Sequence, residues 1–217
     1  MSPKLNRVLK VGGIAIGAVL LLVVGMFAIL LGPFFMNRLA IVDRFEFEGI
    51  RIVQNGIVSF AVVPVGANEV ALIDGGTDTS GQAILTELSR RVLSPDAIRA
   101  VLVTHGHGGH TGAIRVFPQA EVMALEAEIG LIEGGSRGPA GIKVTSPLHD
   151  VQTVTTGSTQ IRVFATPGHS QGHAAYVVNG VLFLGDAAYA GRDGTLKNAV
   201  WIFSDSQDQN RTSLTKL

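Results

Sequence analysis

Residues 98–110 read IRAVLVTHGHGGH, a near-continuous apolar run that ends in three histidines separated by glycine. Short runs of this kind, rich in β-branched residues, form strands buried on both faces of a sheet. The run therefore delivers His105 to the end of a central strand. In an extended turn the side-chain period is two, so His105 and His107 can project to one side. Gly106, Gly108 and Gly109 permit the tight backbone path that brings the rings together. Two converging imidazoles are a good start for a metal site, because zinc binds neutral imidazole nitrogen at about 2.0–2.1 Å. The alternative is a polar loop of surface histidines, and three histidines in six residues behind a buried strand argue against it.

The same pattern recurs twice. Thr166-Pro167-Gly168-His169-Ser170-Gln171-Gly172-His173 follows the strand-like stretch 160–165, and Leu184-Gly185-Asp186 ends the apolar stretch 181–184. Each places a ligand-type side chain on a loop carried by a rigid strand. The chain has no cysteine, so a disulfide is excluded and any metal must be held by His, Asp or Glu.

Outward from these loops the pattern is mixed α/β. Stretches 57–63 and 70–73 read as strands joined by a turn at 64–68. A helix is expected over 81–93, capped by Thr79 or Ser80, with Ile84, Leu85, Leu88 and Val92 at helical spacing and Ser94-Pro95 ending it. A second helix is expected from His110 to about Phe117, a strand at 121–124 and a helical stretch at 126–132. Residues 134–141 form a Gly- and Pro-rich loop, read either as a border of the site or as an ordinary connector. Stretches 160–165, 174–178 and 181–184 are three further strands, Trp201 and Phe203 either line a pocket or complete the core, with core the preferred reading, and His149 is read as solvated.

Upstream, residues 11–31 carry no charge and the uncharged run continues to Asn37. About 21 residues at ~1.5 Å each span roughly 30 Å, the thickness of a bilayer's hydrocarbon core. The reading is a cytoplasmic N-terminus at 1–10, a transmembrane helix at 11–36 closed or kinked by Gly32-Pro33, and a folded domain at 41–217. Lys4, Arg7 and Lys10 precede the helix, so the positive-inside bias places that domain in the periplasm or outside the cell. A cleaved signal would have a shorter apolar core and a small-x-small site, and Gly32-Pro33-Phe34-Phe35 is a poor cleavage context. With 17 basic and 17 acidic residues, nothing points to nucleic acid as a partner.

Leu72-Ile73-Asp74-Gly75-Gly76, Thr104–His110, Thr166–His173 and Leu184-Gly185-Asp186 resemble, in order and approximate spacing, the motifs of the metallo-β-lactamase superfamily, over roughly residues 45–200. The resemblance implies a four-layer αββα sandwich with a metal site at one edge of two facing sheets. It implies that His105, His107 and His169 hold a first zinc, that Asp186 bridges two metals, and that His110 binds the second. Asp74 matches an aspartate that supports the metal-bearing loops. His173 falls where some relatives carry a histidine behind the ligands, or is a strand-start residue with a satisfied hydrogen bond.

Two departures follow from the same comparison. The family loop is H-x-H-x-D-H, and Gly109 stands where its aspartate would be. The family also supplies one more histidine after a further helix and strand. No histidine follows His173, and residues 213–217 read as the opening of that helix, so the domain is expected to be incomplete at its C-terminus. The expectation is one zinc per chain, with the second metal short of ligands. The resemblance implies a zinc-dependent hydrolase that cleaves an ester, thioester, amide or lactam, or phosphoester bond of a small-molecule substrate through metal-bound hydroxide, with Asp186 orienting it. Gly109 leaves no evident general acid, so a catalytically impaired, membrane-anchored binding protein or fragment is the alternative.

Overall fold

A computed structural model describes residues 3–217, with side chains from Gly12 onward. It falls into two compact units. The first is the stretch up to Leu39 together with Ala190–Thr195, and the second is Ala40–Tyr189 together with Leu196–Leu217.

In the first unit, helix α1 (Pro3–Asn37) carries a segment, Gly12–Asn37, long and apolar enough to cross a membrane. The sequence suggested a close or kink at Gly32-Pro33, but the helix continues four residues beyond Pro33 to Asn37. Proline lacks the N–H that would bond the Ile29 carbonyl, so it removes one bond of the ladder without ending the helix. The Asn37 carbonyl and the Leu39 N–H close the helix end onto Arg192 and Ala190.

The second unit is built on two sheets. The first runs β1 (Phe45–Phe47), β2 (Ile50–Asn55), β3 (Val58–Gly66), β4 (Glu69–Ile73), β5 (Ile98–Leu102), β6 (Glu121–Leu125) and β7 (Ser146–Leu148), in that spatial order. Pairs up to β4 are antiparallel; β4 to β7 are parallel. The second sheet runs β8 (Thr153–Thr156), β9 (Thr159–Ala165), β10 (Ala174–Val178) and β11 (Val181–Phe183), all antiparallel.

Strand alternation divides the core in two. Phe60, Val62, Val70, Leu72, Val101 and Val103 face an outer helical layer through Ile84, Leu88, Ile114, Phe117 and Ile132. Their neighbours Ala61, Val63, Ala71, Ile73, Ala100 and Leu102 face the second sheet through Ile161, Val163, Tyr176 and Val178. This is the α/β sandwich the sequence implied. Leu72 is 0% exposed, so Leu72→Ala is expected to cost about 2–5 kcal/mol, read as a lowered denaturation midpoint of the solubilised chain.

Some elements depart from the sequence reading. Helix α2 is Gln82–Arg90, and its start is held by Asp78 rather than Thr79 or Ser80. Asp78 accepts from the Ser80 N–H at 2.9 Å and the Ala83 N–H at 3.4 Å, while Gly81 turns the chain at φ 70°. The expected helix from His110 to Phe117 begins earlier and breaks: α3 is Gly108–Thr111, and a separate 3-10 turn covers Ile114–Val116. The 126–132 stretch is a 3-10 turn, Glu126–Glu128, running into α4 (Ile129–Gly134). Trp201 and Phe203 are not core: they stand 56% and 48% exposed on a 3-10 turn, where Phe203 lines the site cleft. After the short strands at 188–190 and 196–198, helix α5 (Gln207–Leu214) docks through Ser213, which donates to the Pro167 carbonyl at 2.7 Å.

Candidate metal centre

The carboxyl ends of the parallel strands converge at one edge, where open α/β sheets place their ligands. Asp74 follows β4, His105 follows β5 and Glu128 follows β6, while the second sheet sends His169 and His173 from the β9–β10 loop and Asp186 from the chain after β11.

Asp74 is the support. It adopts a left-handed backbone conformation at φ 64°, which Asp tolerates better than most residues. Its Oδ1 accepts from the Thr104 N–H at 2.8 Å, and its Oδ2 lies 2.7 Å from His110 Nδ1. Thr104 Oγ1 in turn lies 3.0 Å from His105 Nδ1. One buried carboxylate thus orients two histidines, the second through a hydroxyl.

The structure brings five of the singled-out residues together as possible ligands. His105, His107 and His169 offer ligand atoms within 4.8 Å of one another, and so do His105, His110 and Asp186. His107 Nδ1 is 3.0 Å from His169 Nε2. Asp186, half-buried, lies 3.3 Å from His110 Nε2, an ion-pair contact without hydrogen-bond alignment, and 3.7 Å from His169 Nε2. His173 is also buried beside the group, its Nδ1 2.7 Å from Thr166 Oγ1. His149 stands apart and exposed, 3.6 Å from the Glu126 carboxylate.

Burial and mutual repulsion keep most of the rings neutral. Burial, then the neighbouring His110, holds His105 well below the usual imidazole range; His173 is lowered in the same way, by burial and then His169. Burial and the Arg137 charge lower His107 to about 4, and burial lowers His169 to about 4. His110 is the exception. Burial opposes its charge, but the Asp186 and Asp74 carboxylates outweigh burial and lift it to about 10. Burial disfavours the Asp186 anion, yet His110 and His169 hold its carboxyl well below the usual range.

The arrangement could hold a metal ion. A neutral imidazole has one N–H and one lone pair. With Nδ1 beside Thr104, the Nε2 of His105 is buried and has no hydrogen-bond partner, an orphan that a cation would satisfy. His173 Nε2 is likewise buried without a partner, whereas the protonated His110 turns an N–H, 3.3 Å from the Asp186 carboxylate, into the group. Neutral imidazoles with one carboxylate are a zinc-type donor set.

A cleft of about 620 Å³ opens over the group, floored by His107, His110 and Asp186 and walled by Ile57, Val58 and Phe203. Gly109 lies on its lining. Arg137, from the 134–141 loop, reaches this rim, so the loop borders the site: Nη1 donates to His107 Nε2 at 2.9 Å and Nη2 to Asp205 at 3.1 Å. Arginine only donates. For His107 to offer Nδ1 to a metal, its proton must sit on Nε2 and Arg137 must turn away.

Sequence reasoning passed over Arg137, Ser204 and Glu128. Ser204 Oγ meets His169 Nδ1 at 3.0 Å, and Glu128 is buried behind the loops. None belongs to a motif. Glu128 carried the only signal, an acidic residue just after an apolar strand.

Residues 54–217 match the profile of the metallo-beta-lactamase superfamily. The chain is similar to the hydroxyacylglutathione hydrolase of Vibrio cholerae, 30% identical over 152 residues that make up 69% of this chain and 52% of that protein. It thus spans about half the length of the curated relatives it matches. Among solved structures it resembles a subclass B3 metallo-beta-lactamase of Bradyrhizobium japonicum, with TM-score 0.61 and 22% identity, covering 82% of this chain and 72% of that one. It also resembles a class B3 di-zinc metallo-beta-lactamase from an Alaskan soil metagenome, with TM-score 0.54 and 18% identity, covering 59% of this chain and 53% of that one.

Proposed function

The chain belongs to the metallo-beta-lactamase superfamily, and from that premise we propose that it is a metal-dependent hydrolase holding one zinc ion on His105, His107 and His169, with Asp186 beside them, and acting on a small-molecule thioester or activated ester. The observation that carries this reading is the buried, unpartnered Nε2 of His105 in the middle of a neutral imidazole cluster.

When bound there, zinc would supply Lewis acidity, making water a nucleophile at neutral pH and drawing charge from the scissile carbonyl. The side chains do the rest. Asp186, anionic at the cleft floor, would accept a hydrogen bond from the attacking water and so orient it. His110 keeps its proton between Asp74 and Asp186 and anchors that carboxylate. Ile57, Val58 and Phe203 shield the substrate from bulk water.

Gly109 bears on the bond cleaved. It offers neither a second-metal ligand nor a proton donor at the cleft. A thiolate departs without protonation, since thiols ionise near pH 8.5, whereas an amine does not. The site therefore favours thioesters and activated esters over amides, which agrees with the hydroxyacylglutathione hydrolase likeness. The assay is hydrolysis of a hydroxyacylglutathione thioester by the full chain, before and after chelation and again with zinc restored. Loss and recovery of turnover support the reading. Bound zinc without turnover favours the alternative raised by Gly109, a binding protein with impaired catalysis.

We further infer that α1 anchors the chain in a membrane, with the N-terminus cytoplasmic by its basic flank. A chain starting at Ala40 is expected to move from the membrane pellet to the soluble fraction on cell fractionation.

A further inference from the structure

The two histidine loops come from different sheets, one after β5 and one after β9. A metal that draws ligands from both needs their separation fixed before it arrives. Between the loops lies Glu128, 1% exposed, at the end of the turn that follows β6. Its Oε1 accepts the Gly106 N–H at 2.8 Å, and its Oε2 accepts the Gly172 N–H at 2.8 Å. Gly106 sits between His105 and His107, and Gly172 directly precedes His173. One carboxylate therefore holds a backbone N–H of each loop.

Burying a carboxylate is costly unless its lone pairs are filled, and two charge-assisted backbone bonds offset that cost. The packing leaves no slack. A Cβ on Gly172 would collide with the backbone of Ala127 and Glu128, and one on Gly106 would come within 2.9 Å of Leu131 Cγ and 3.1 Å of the Ile132 nitrogen. Both loops are pressed onto the Glu126–Gly134 segment at glycine. Across this join His107 Nδ1 and His169 Nε2 stand 3.0 Å apart.

We propose that Glu128 is a positioning residue: by tying Gly106 and Gly172 to one carboxylate, it fixes the spacing of the two histidine loops and so sets the site's affinity for its metal. The proposal rests on the reading of those histidines as metal ligands. Glu128 touches neither metal nor substrate and acts only through the loops.

Glu128→Gln is the discriminating change. It keeps the side chain's size and one acceptor oxygen, but turns an NH₂ toward the other peptide N–H, donor against donor. A separate backbone bond, Ala174 N–H to the Thr104 carbonyl at 2.8 Å, still joins the two sheets, so the fold is expected to survive. The experiment titrates Co²⁺ into the metal-free full-length chain in detergent micelles. In the variant the dissociation constant is expected to rise about 10–100-fold, the usual cost of losing a partner that orients a ligand. The visible cobalt absorption should change with it, while the melting temperature of the metal-free protein stays within a few degrees. Wild-type affinity with an unchanged cobalt spectrum in the variant overturns the brace. A wild-type chain that takes up no cobalt overturns the ligand reading and the brace together.

If Glu128→Gln does not fold, hydrogen exchange of the wild type decides. The Gly106 and Gly172 amides are expected to exchange at least ~10³-fold slower than an unstructured chain, at similar rates to each other. Fast exchange at either one, with β5 and β9 amides still protected, overturns the proposal.

Discussion

Gly109→Asp is expected to raise zinc-dependent hydrolysis by about 10²–10⁴-fold, the range a positioned acid or base contributes. The residue lines the cleft beside His110 and Asp186, so a carboxylate there would stand where a leaving group departs. The backbone accepts it, since Gly109 is not among the glycines with positive φ. Space is the constraint: a Cβ at 109 would lie 3.2 Å from Val58 Cγ1 and 3.8 Å from Thr77 Cγ2. Val58 must give by a few tenths of an ångström, and Val58→Ala combined with Gly109→Asp removes that cost. The gain should be larger for amides and lactams than for thioesters, because only the poorer leaving groups need a proton. Equal turnover by the native chain and Gly109→Asp on both bond types would show that position 109 plays no part in proton handling.

His105→Ala is expected to remove metal binding altogether. His105 belongs to both candidate ligand groups, with His107 and His169 on one side and His110 and Asp186 on the other. No rearrangement that keeps to these groups can dispense with it. The loss should far exceed the roughly 10–100-fold that follows removal of a ligand's hydrogen-bond partner, and turnover should fall with it. His149→Ala, at an exposed ring away from the cluster, should leave both unchanged. Retained stoichiometric metal in His105→Ala would place the ion elsewhere.

The strands that carry the site were legible because they are apolar and short. β5 is buried along nearly its whole length and ends where the histidines begin. The strands that escaped reading lack that signature. β7 contains Pro147, tolerated because β7 is the edge strand of its sheet. β8 is Thr153–Thr156, with Thr153 and Thr155 exposed, and resembles a loop in composition. β2 follows a charged stretch that hides its alternation.

The site divides in the same way. Glycine-spaced histidines announce themselves by side-chain type. Glu128 does not, because its partners are two backbone N–H groups that no spacing rule encodes. Arg137 reaches His107 from a loop whose path depends on tertiary packing. Phe203 follows the other branch of its reading, since large apolar side chains also wall clefts, while Trp201 stands exposed and neither packs in the core nor lines the cleft.

The most direct test of the account is the metal content of the full-length chain, purified without chelator and measured by elemental analysis against protein concentration. About one zinc per chain is expected, lost in His105→Ala, because neutral His105, His107 and His169 would supply three nitrogen ligands, with the Asp186 carboxylate 3.7 Å from His169 Nε2 as the proposed fourth. A native chain with no bound zinc, and none acquired when zinc is supplied, would contradict it.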